Sequence, residues 1–346
     1  MTVAASEAPR RLFRDRQDAL IHSIVLGVTG SVWLGSFALM TSGSVLLDIL
    51  GALLCAHSMV LAAYLIHEAA HQALFASRRA NHWAGEALNF IAGSAYASFE
   101  RILHMHIRHH VDRIDPTCFD FKGLMQRRPA VRRTLQILEW AYLPATEILM
   151  HLQVVWRPFF VRSQRPHVAR VIMLLLLRLG LLAWLWSLAP RAVLFYGLAV
   201  LLQLHVLNFF DAFHHTFDQL VITPDQPVPM GGRDRAYEQA NTYSNVISRN
   251  HPWLNALVLN FGYHNAHHHR PSVPWWRLPA LHRQIYGDEP AALMPLRELL
   301  VTWHRNRVKR VFAADYGAPR ADSRGGASRR ADEFVGAHGV SFLTVI

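Results

Sequence analysis

Three short runs of the chain carry histidines at helical spacing: His67-Glu68-Ala69-Ala70-His71, His106-Ile107-Arg108-His109-His110 and His264-Asn265-Ala266-His267-His268. In the first run the imidazoles stand four residues apart. In the other two they fall at i, i+3 and i+4. Each set therefore lies on one face of a helix and points at one place. Imidazole is the commonest protein ligand for metals, so the chemistry indicated is metal binding. A fourth element holds Asn208, Asp211 and His215 at i, i+3 and i+7, adding a ninth histidine and a carboxylate. One transition-metal ion takes about four to six ligands, so nine imidazoles exceed what a single ion uses and suit two. Ligand type alone leaves zinc, copper, iron and nickel open.

The plainer reading of a lone histidine on an apolar helix face is a packed core residue. A single such run also arises by chance in a chain with 22 histidines. Recurrence of the pattern at corresponding positions is what favours metal. His57, His104, His205, His214, His251 and His269 fall outside the pattern and are read as structural or supporting groups. Two other chemistries compete. His67-Glu68-Ala69-Ala70-His71 also fits the HExxH pattern of zinc proteases, in which Glu68 would activate a metal-bound water. That reading leaves most of the clustered histidines without a task. A metal transporter would place its ligands near the middle of the bilayer, whereas these gather at one membrane boundary.

The elements that must position these residues are apolar. Four stretches match the ~20 residues needed to cross a bilayer: Ala19–Met40, Val45–Ile66, Val171–Leu188 and Ala192–Phe213. A Thr-Ser-Gly-Ser turn joins the first two, and Pro190-Arg191 joins the last two. The first histidine run ends the second stretch, and His215 follows the fourth. Arg178, inside the third stretch, is costly in lipid and is expected to face protein or to snorkel. The apolar segment from Trp83 to Tyr96 is short for a crossing. Leu135–Phe160 is amphipathic, with Trp140, Tyr142 and Trp156 suited to an interface. Both are expected to form helices in or on the membrane face.

Lys and Arg set the orientation. The N-terminus holds Arg10, Arg11, Arg14 and Arg16, and the link between the first two stretches holds neither residue type. The long segments after the second and fourth stretches are Arg-rich, so both should be cytoplasmic, as should both termini. The first apolar run is too long for a signal-peptide core and is expected to be kept. The expected organisation is a basic cytoplasmic N-terminus at 1–18, a membrane domain at 19–290, a cytoplasmic helix at 291–316 and a disordered tail at 317–346. The fold class is all-α integral membrane: about four transmembrane helices with a cytoplasmic helical cap that holds a di-metal centre.

Composition agrees. Hydrophobic residues make up 52% of the chain and charged residues 17%, below the quarter or so typical of soluble domains. The net charge of +11 comes largely from Arg flanking apolar runs. This is the pattern of membrane topology rather than of nucleic-acid binding, and no nucleic-acid partner is expected. Cys55 and Cys118 form no disulfide framework, CxxC pair or iron–sulfur spacing.

In order, HEAAH, HIRHH and HNAHH, with two apolar spans between the second and third, resemble the membrane fatty-acid desaturase superfamily of desaturases, hydroxylases and ketolases. Asp115-Pro116 after the second box, the segment Asp211–Phe217 and Pro274-Trp275-Trp276-Arg277-Leu278-Pro279 after the third extend the resemblance over roughly Leu20 to Tyr286. It implies two iron ions held by His67, His71, His106, His109, His110, His264, His267 and His268, with His215 as a further ligand and O2 as co-substrate. In some members an Asn four residues before that further histidine reaches the metal through water. Here the position is Asp211, which would ligate directly, hold a water or orient His215. The five-residue first box is closer to bacterial members, including a branch that forms terminal alkenes from free fatty acids.

The resemblance further implies attack on an unactivated C–H bond of a fatty-acyl chain or similar lipid that enters from the membrane through an apolar tunnel. Desaturation is the leading outcome; hydroxylation, ketolation and oxidative decarboxylation are the alternatives. No GxGxxG, cysteine cluster or haem-binding HPGG is visible, so a separate ferredoxin-like or cytochrome-like electron donor is expected, and the Arg-rich face would suit an acidic one. A bacterial inner membrane is the expected location. Arg101, Arg108, Arg113 and Arg249 are candidates to hold a carboxylate or acyl carrier, with nothing to single one out.

Overall fold

Asp15 accepts the backbone N–H of Asp18 and so starts the first long helix, α1, Arg16–Met40. In this computed structural model, residues 11–117, 119–217, 220–222, 233–287, 293–312 and 343–344 are described. A turn with Gly43 at φ 90° reverses the chain into α2, Val45–Ala70. Two more long helices follow later, α8 at Val168–Leu188 and α9 at Pro190–Ala212. Pro190 opens α9 in its first turn, where the missing N–H costs nothing. These four helices are long and apolar enough to cross a membrane. α2 is central and mostly buried, whereas α8 turns most of its side chains outward. Leu20, Ile24 and Leu34 on α1, Leu176, Leu179 and Trp186 on α8, and Leu194 on α9 are all exposed. An apolar exterior of this extent fits lipid rather than water. The chain is a helical membrane protein.

Two arginines of this bundle have polar partners. Arg191 pairs with the fully buried Asp48 at 2.7 Å, pinning the start of α9 to the start of α2. Arg178 does face protein: it donates to the Tyr196 hydroxyl at 3.0 Å and to the Phe90 carbonyl, and lies over the Phe90 ring.

Between α2 and α8 the chain builds most of the cap. Its helices are α3 (Arg78–Ala92), α4 (Phe99–Arg108), α5 (Phe121–Arg127), α6 (Pro129–Trp140) and α7 (Ala145–Phe160). Ser77 and Ser98 cap α3 and α4 through their hydroxyls. The amphipathic stretch Leu135–Phe160 is thus two helices; Tyr142 at φ 63° and Pro144 break it. After α9 come α10 (Arg235–Ala240), α11 (His264–His269), α12 (Leu278–Tyr286), α13 (Leu296–Asn306) and α14 (Lys309–Phe312). Among the described residues, four three-residue strands lace these parts together. β1 (Asp115–Thr117) pairs in parallel with β2 (Leu220–Ile222), and β3 (Ser244–Val246) with β4 (Leu293–Pro295). Such short strands show no alternation that a sequence reader could detect. The tail expected to be disordered, 317–346, lies outside the described residues apart from Leu343 and Thr344, as do residues 1–10 and Cys118.

Candidate metal centre

His67 sits in the last turn of α2 and His71 caps it. His106 is in the last turn of α4, and His109 and His110 open a π-helical turn, His109–Arg113, that continues it. Such wide turns recur at functional sites. His264, His267 and His268 form α11. His215 lies three residues past the end of α9. All nine histidines come together, in two adjoining groups. The first is His67, His71, His106, His110 and His267; the second is His109, His215, His264 and His268. Within each group one nitrogen per residue lies within 4.8 Å of the others.

The grouping follows helical phase. In the second and third boxes the i and i+4 histidines share a group, and the histidine between them crosses to the other. Each three-histidine box therefore serves both groups and locks them side by side; the rings of His110 and His268, one from each group, stack at 4.1 Å.

The nitrogens are spaced as ligands of common ions would be. In the first group Nε2 of His106 lies 2.6 Å from Nε2 of His71 and 3.2 Å from that of His110, which is 3.2 Å from Nε2 of His267. In the second, Nε2 of His215 lies 3.1 Å from that of His109 and 2.8 Å from that of His264. Metal–nitrogen bonds of about 2.0–2.1 Å at octahedral or tetrahedral angles put neighbouring ligands roughly 3 Å apart. Nine imidazoles converging on each other rather than on oxygen acceptors fit metal as the missing partner.

The rings of His268 and His109 are anchored to oxygen on their far sides. Nδ1 of His268 donates to Glu238 Oε1 at 2.9 Å, and Glu238 Oε2 accepts from Arg113 at 3.2 Å. Nδ1 of His109 donates to the Ile114 carbonyl at 2.8 Å, with Asp115 Oδ1 at 3.5 Å. A proton held on Nδ1 leaves the Nε2 lone pair facing inward. Burial, then the neighbouring histidines, holds His106, His110, His215, His264, His267 and His268 well below the usual imidazole range, and His71 at about 3. The rings are therefore neutral, as ligands must be.

The surroundings sort the other predicted residues. His214 stacks on His264 at 3.9 Å and bonds Asn245 at 2.8 Å. His57 and His205 reach the carbonyls of Leu257 and Tyr142. His104 and His251 are exposed, and His269 is half-buried. Asp211 belongs to neither histidine group. Glu68 also stands outside both. Its Oε2 accepts the Trp275 backbone N–H at 3.0 Å, so it braces the segment after the third box rather than attending a metal as HExxH chemistry would require. Asp18 and Asp15 hold the next two residues, Trp276 at 3.2 Å and Arg277 at 2.6 Å. That explains the Pro-Trp-Trp-Arg-Leu-Pro motif: it ties the third box to α1 and α2. Of the arginines proposed for a carboxylate, Arg108 pairs with Asp112 at 2.9 Å, Arg113 with Glu238, and Arg101 contacts His167 at 2.6 Å, while Arg249 is exposed. Sequence reasoning missed Glu238 and Asn245, which no spacing relates to the boxes.

The fatty acid desaturase family model matches residues 44–299. The chain is 30% identical over 251 residues to the sphingolipid delta(4)-desaturase DES1 of Mus musculus and, to the same extent, to that of Rattus norvegicus. Each match covers 68% of this chain and 64% of the relative, so the chain spans less than two thirds of the length of these curated relatives.

Proposed function

The chain belongs to the fatty acid desaturase family, and on that premise we propose that it is an O2-dependent membrane oxidase that forms a double bond in a fatty-acyl lipid. The observation that carries this reading is the convergence of nine buried or nearly buried imidazoles into two adjoining groups. We assign one iron to His67, His71, His106, His110 and His267 and a second to His109, His215, His264 and His268. When bound, the two irons supply the activation of O2 that attack on an unactivated C–H bond requires. The balanced reaction takes O2, two electrons and two protons, removes two hydrogens from neighbouring carbons and releases two waters.

The residues of this chain contribute position and environment. Glu238 and the Ile114 carbonyl hold Nδ1 protons so that His268 and His109 present Nε2 inward. Phe261, packed between His67 and His264 and stacked on Tyr64 at 4.4 Å, gives the membrane-side wall an apolar ring that excludes water from the reacting carbon. The substrate reaches this wall from the bilayer. Electrons come from a separate ferredoxin-like or cytochrome-like donor at the Arg-rich face, which the Lys/Arg asymmetry puts in the cytoplasm together with both termini. A bacterial inner membrane is the location we assign. Desaturation is placed first because the curated relatives carry that name.

Mass spectrometry of lipids from cells expressing the chain with an electron donor tests the reaction. A product lighter by two hydrogens is expected. A product heavier by one oxygen would make it a hydroxylase, and a hydrocarbon one carbon shorter would make it a decarboxylase.

A further inference from the structure

The segment just before α1 lies along the segment that follows α2. The Ala76 N–H donates to the Leu12 carbonyl at 2.9 Å, and the Phe13 and Phe75 rings pack with centres 5.0 Å apart. Between these segments and the start of α3 opens a cleft of about 810 Å³. Arg11, Arg14, Arg78 and Arg79 line it with Phe13 and His82, and no Asp or Glu is among its described lining residues. All four arginines are exposed. Both edges of the cleft lie beyond the spans, at the end where α2 carries His67 and His71.

Other exposed or half-exposed arginines of the cap and its surroundings have carboxylate partners: Arg108 with Asp112, Arg113 with Glu238, Arg127 with Asp120 and Arg277 with Asp15. Among the described residues, Arg11, Arg78 and Arg79 have none. Arg78 and Arg79 are also the first two residues of α3, whose first turn holds no acid. A helix N-terminus is partly positive and favours anions, so these two cations stand against the local field. Membrane topology accounts for arginines on this side, but not for four that converge on one cleft without a counter-charge. The cleft calls for negative charge from outside the chain. A water takes about 30 Å³ of liquid, so a single small anion, only a few times larger, would leave most of the cleft empty.

Two observations favour a protein that brings electrons. Arg14 ties the cleft to the metal centre: it donates to the carbonyls of Gln72 and Ser272. Gln72 follows the ligand His71, and Ser272 comes four residues after His268. The reaction also consumes two electrons per turnover, and the sequence holds no GxGxxG, cysteine cluster or HPGG to supply them. A patch of one sign draws in and orients a carrier of the other. A lipid headgroup would gain nothing from a link to His71. We infer that this cleft is where a small acidic electron-carrier protein docks. Its carboxylates meet Arg11, Arg78 and Arg79, while Arg14, fixed by two carbonyls, forms the floor. Two carriers are oxidised by one electron each per turnover, the two electrons counted in the reaction above. The inference rests on the oxidase reading and places that centre's partner on named residues.

Binding of an acidic [2Fe–2S] ferredoxin to the purified full chain in nanodiscs of zwitterionic lipid tests it. Arg11→Glu, Arg78→Glu and Arg79→Glu together should weaken binding at low salt by about tenfold or more, about 1.4 kcal/mol. Arg128→Glu, Arg133→Glu and Arg249→Glu make the same change in net charge at exposed sites outside the cleft. That control should weaken binding by less than about threefold, through the long-range field alone. Binding by the parent chain should fall steeply between about 0.05 and 0.5 M salt as screening sets in, and the cleft variant should lose most of that dependence. Melting temperature and metal content of the cleft variant should match the parent, which separates docking from folding. No detectable binding by the parent, or equal loss in the two triple variants, would overturn the inference. So would a cleft variant that still binds ferredoxin but no longer retains anionic lipid, which would assign the cleft to headgroups. Binding needs no turnover, so ferredoxin that docks as stated on a chain that oxidises nothing counts against the oxidase reading alone. Lipid oxidation by the cleft variant at an unchanged KM for ferredoxin counts against the docking site alone.

Discussion

The Nδ1 proton of His268 has one acceptor, the Glu238 carboxylate 2.9 Å away, and Arg113 holds that carboxylate from its other oxygen. Loss of such an outer partner lowers metal affinity by roughly 10–100-fold. Glu238→Ala is expected to do so, measured by chelator competition, while the protein still folds. Full metal retention would assign Glu238 a structural role. The nine histidines were legible because helical spacing is written in the chain; Glu238 was not, because it lies 30 residues from the ring it serves, across a loop. pH offers a second test. Burial depresses these imidazoles, His71 to about 3 against an unfolded value near 6.5. Between those values the unfolded chain binds more protons than the folded one, so stability rises with pH across this window. The metal-free protein should be at full stability above pH 6.5 or so and should melt progressively lower as pH falls toward 3. A melting temperature flat or rising on acidification would contradict neutral, buried rings.

At the level of elements, the spacing i, i+3, i+4 indicated one face and one target for each box. The observed division between two groups needed the partner helices, because one helix face of three rings is wide enough to meet two neighbouring points. The π-helical turn after α4 was equally hidden: an added residue per turn leaves no compositional mark. Backbone conformation marks the ends of the boxes. Gln72, Arg113, Leu259 and Asn260, all non-glycine, adopt positive φ beside the three boxes. Such strain gathers at functional sites. Gly262, two residues before the third box, does the reverse, letting backbone pass close to backbone: a Cβ there would meet the Asn245 carbonyl oxygen at 2.1 Å. Gly262→Ala must push β3 from α11. It should destabilise the fold by about 1–3 kcal/mol, as overpacking does, and lower the occupancy of the His109–His215–His264–His268 group more than of the other. Unchanged melting and metal content would show that β3 does not set the position of α11.

On the scale of the whole molecule, the four apolar stretches of the sequence correspond to the four long helices within a few residues. Hydropathy reports lipid directly, so this layer was the easiest to read. The cap was not, since its short helices and three-residue strands are fixed by long-range pairs such as Glu68 with the Trp275 N–H and Asp18 with Trp276. Those pairs close the chain on itself: residues near its start hold the segment after the third box, which brings His264, His267 and His268 against α2 and α4. A di-metal centre assembled from such distant parts should form only in the complete fold. Metal analysis of the purified full chain is the most direct test of the central claim. Close to two irons per chain are predicted, falling below one in a His110→Ala, His268→Ala double variant that removes a ligand from each group. A single zinc per chain with no iron would contradict the account.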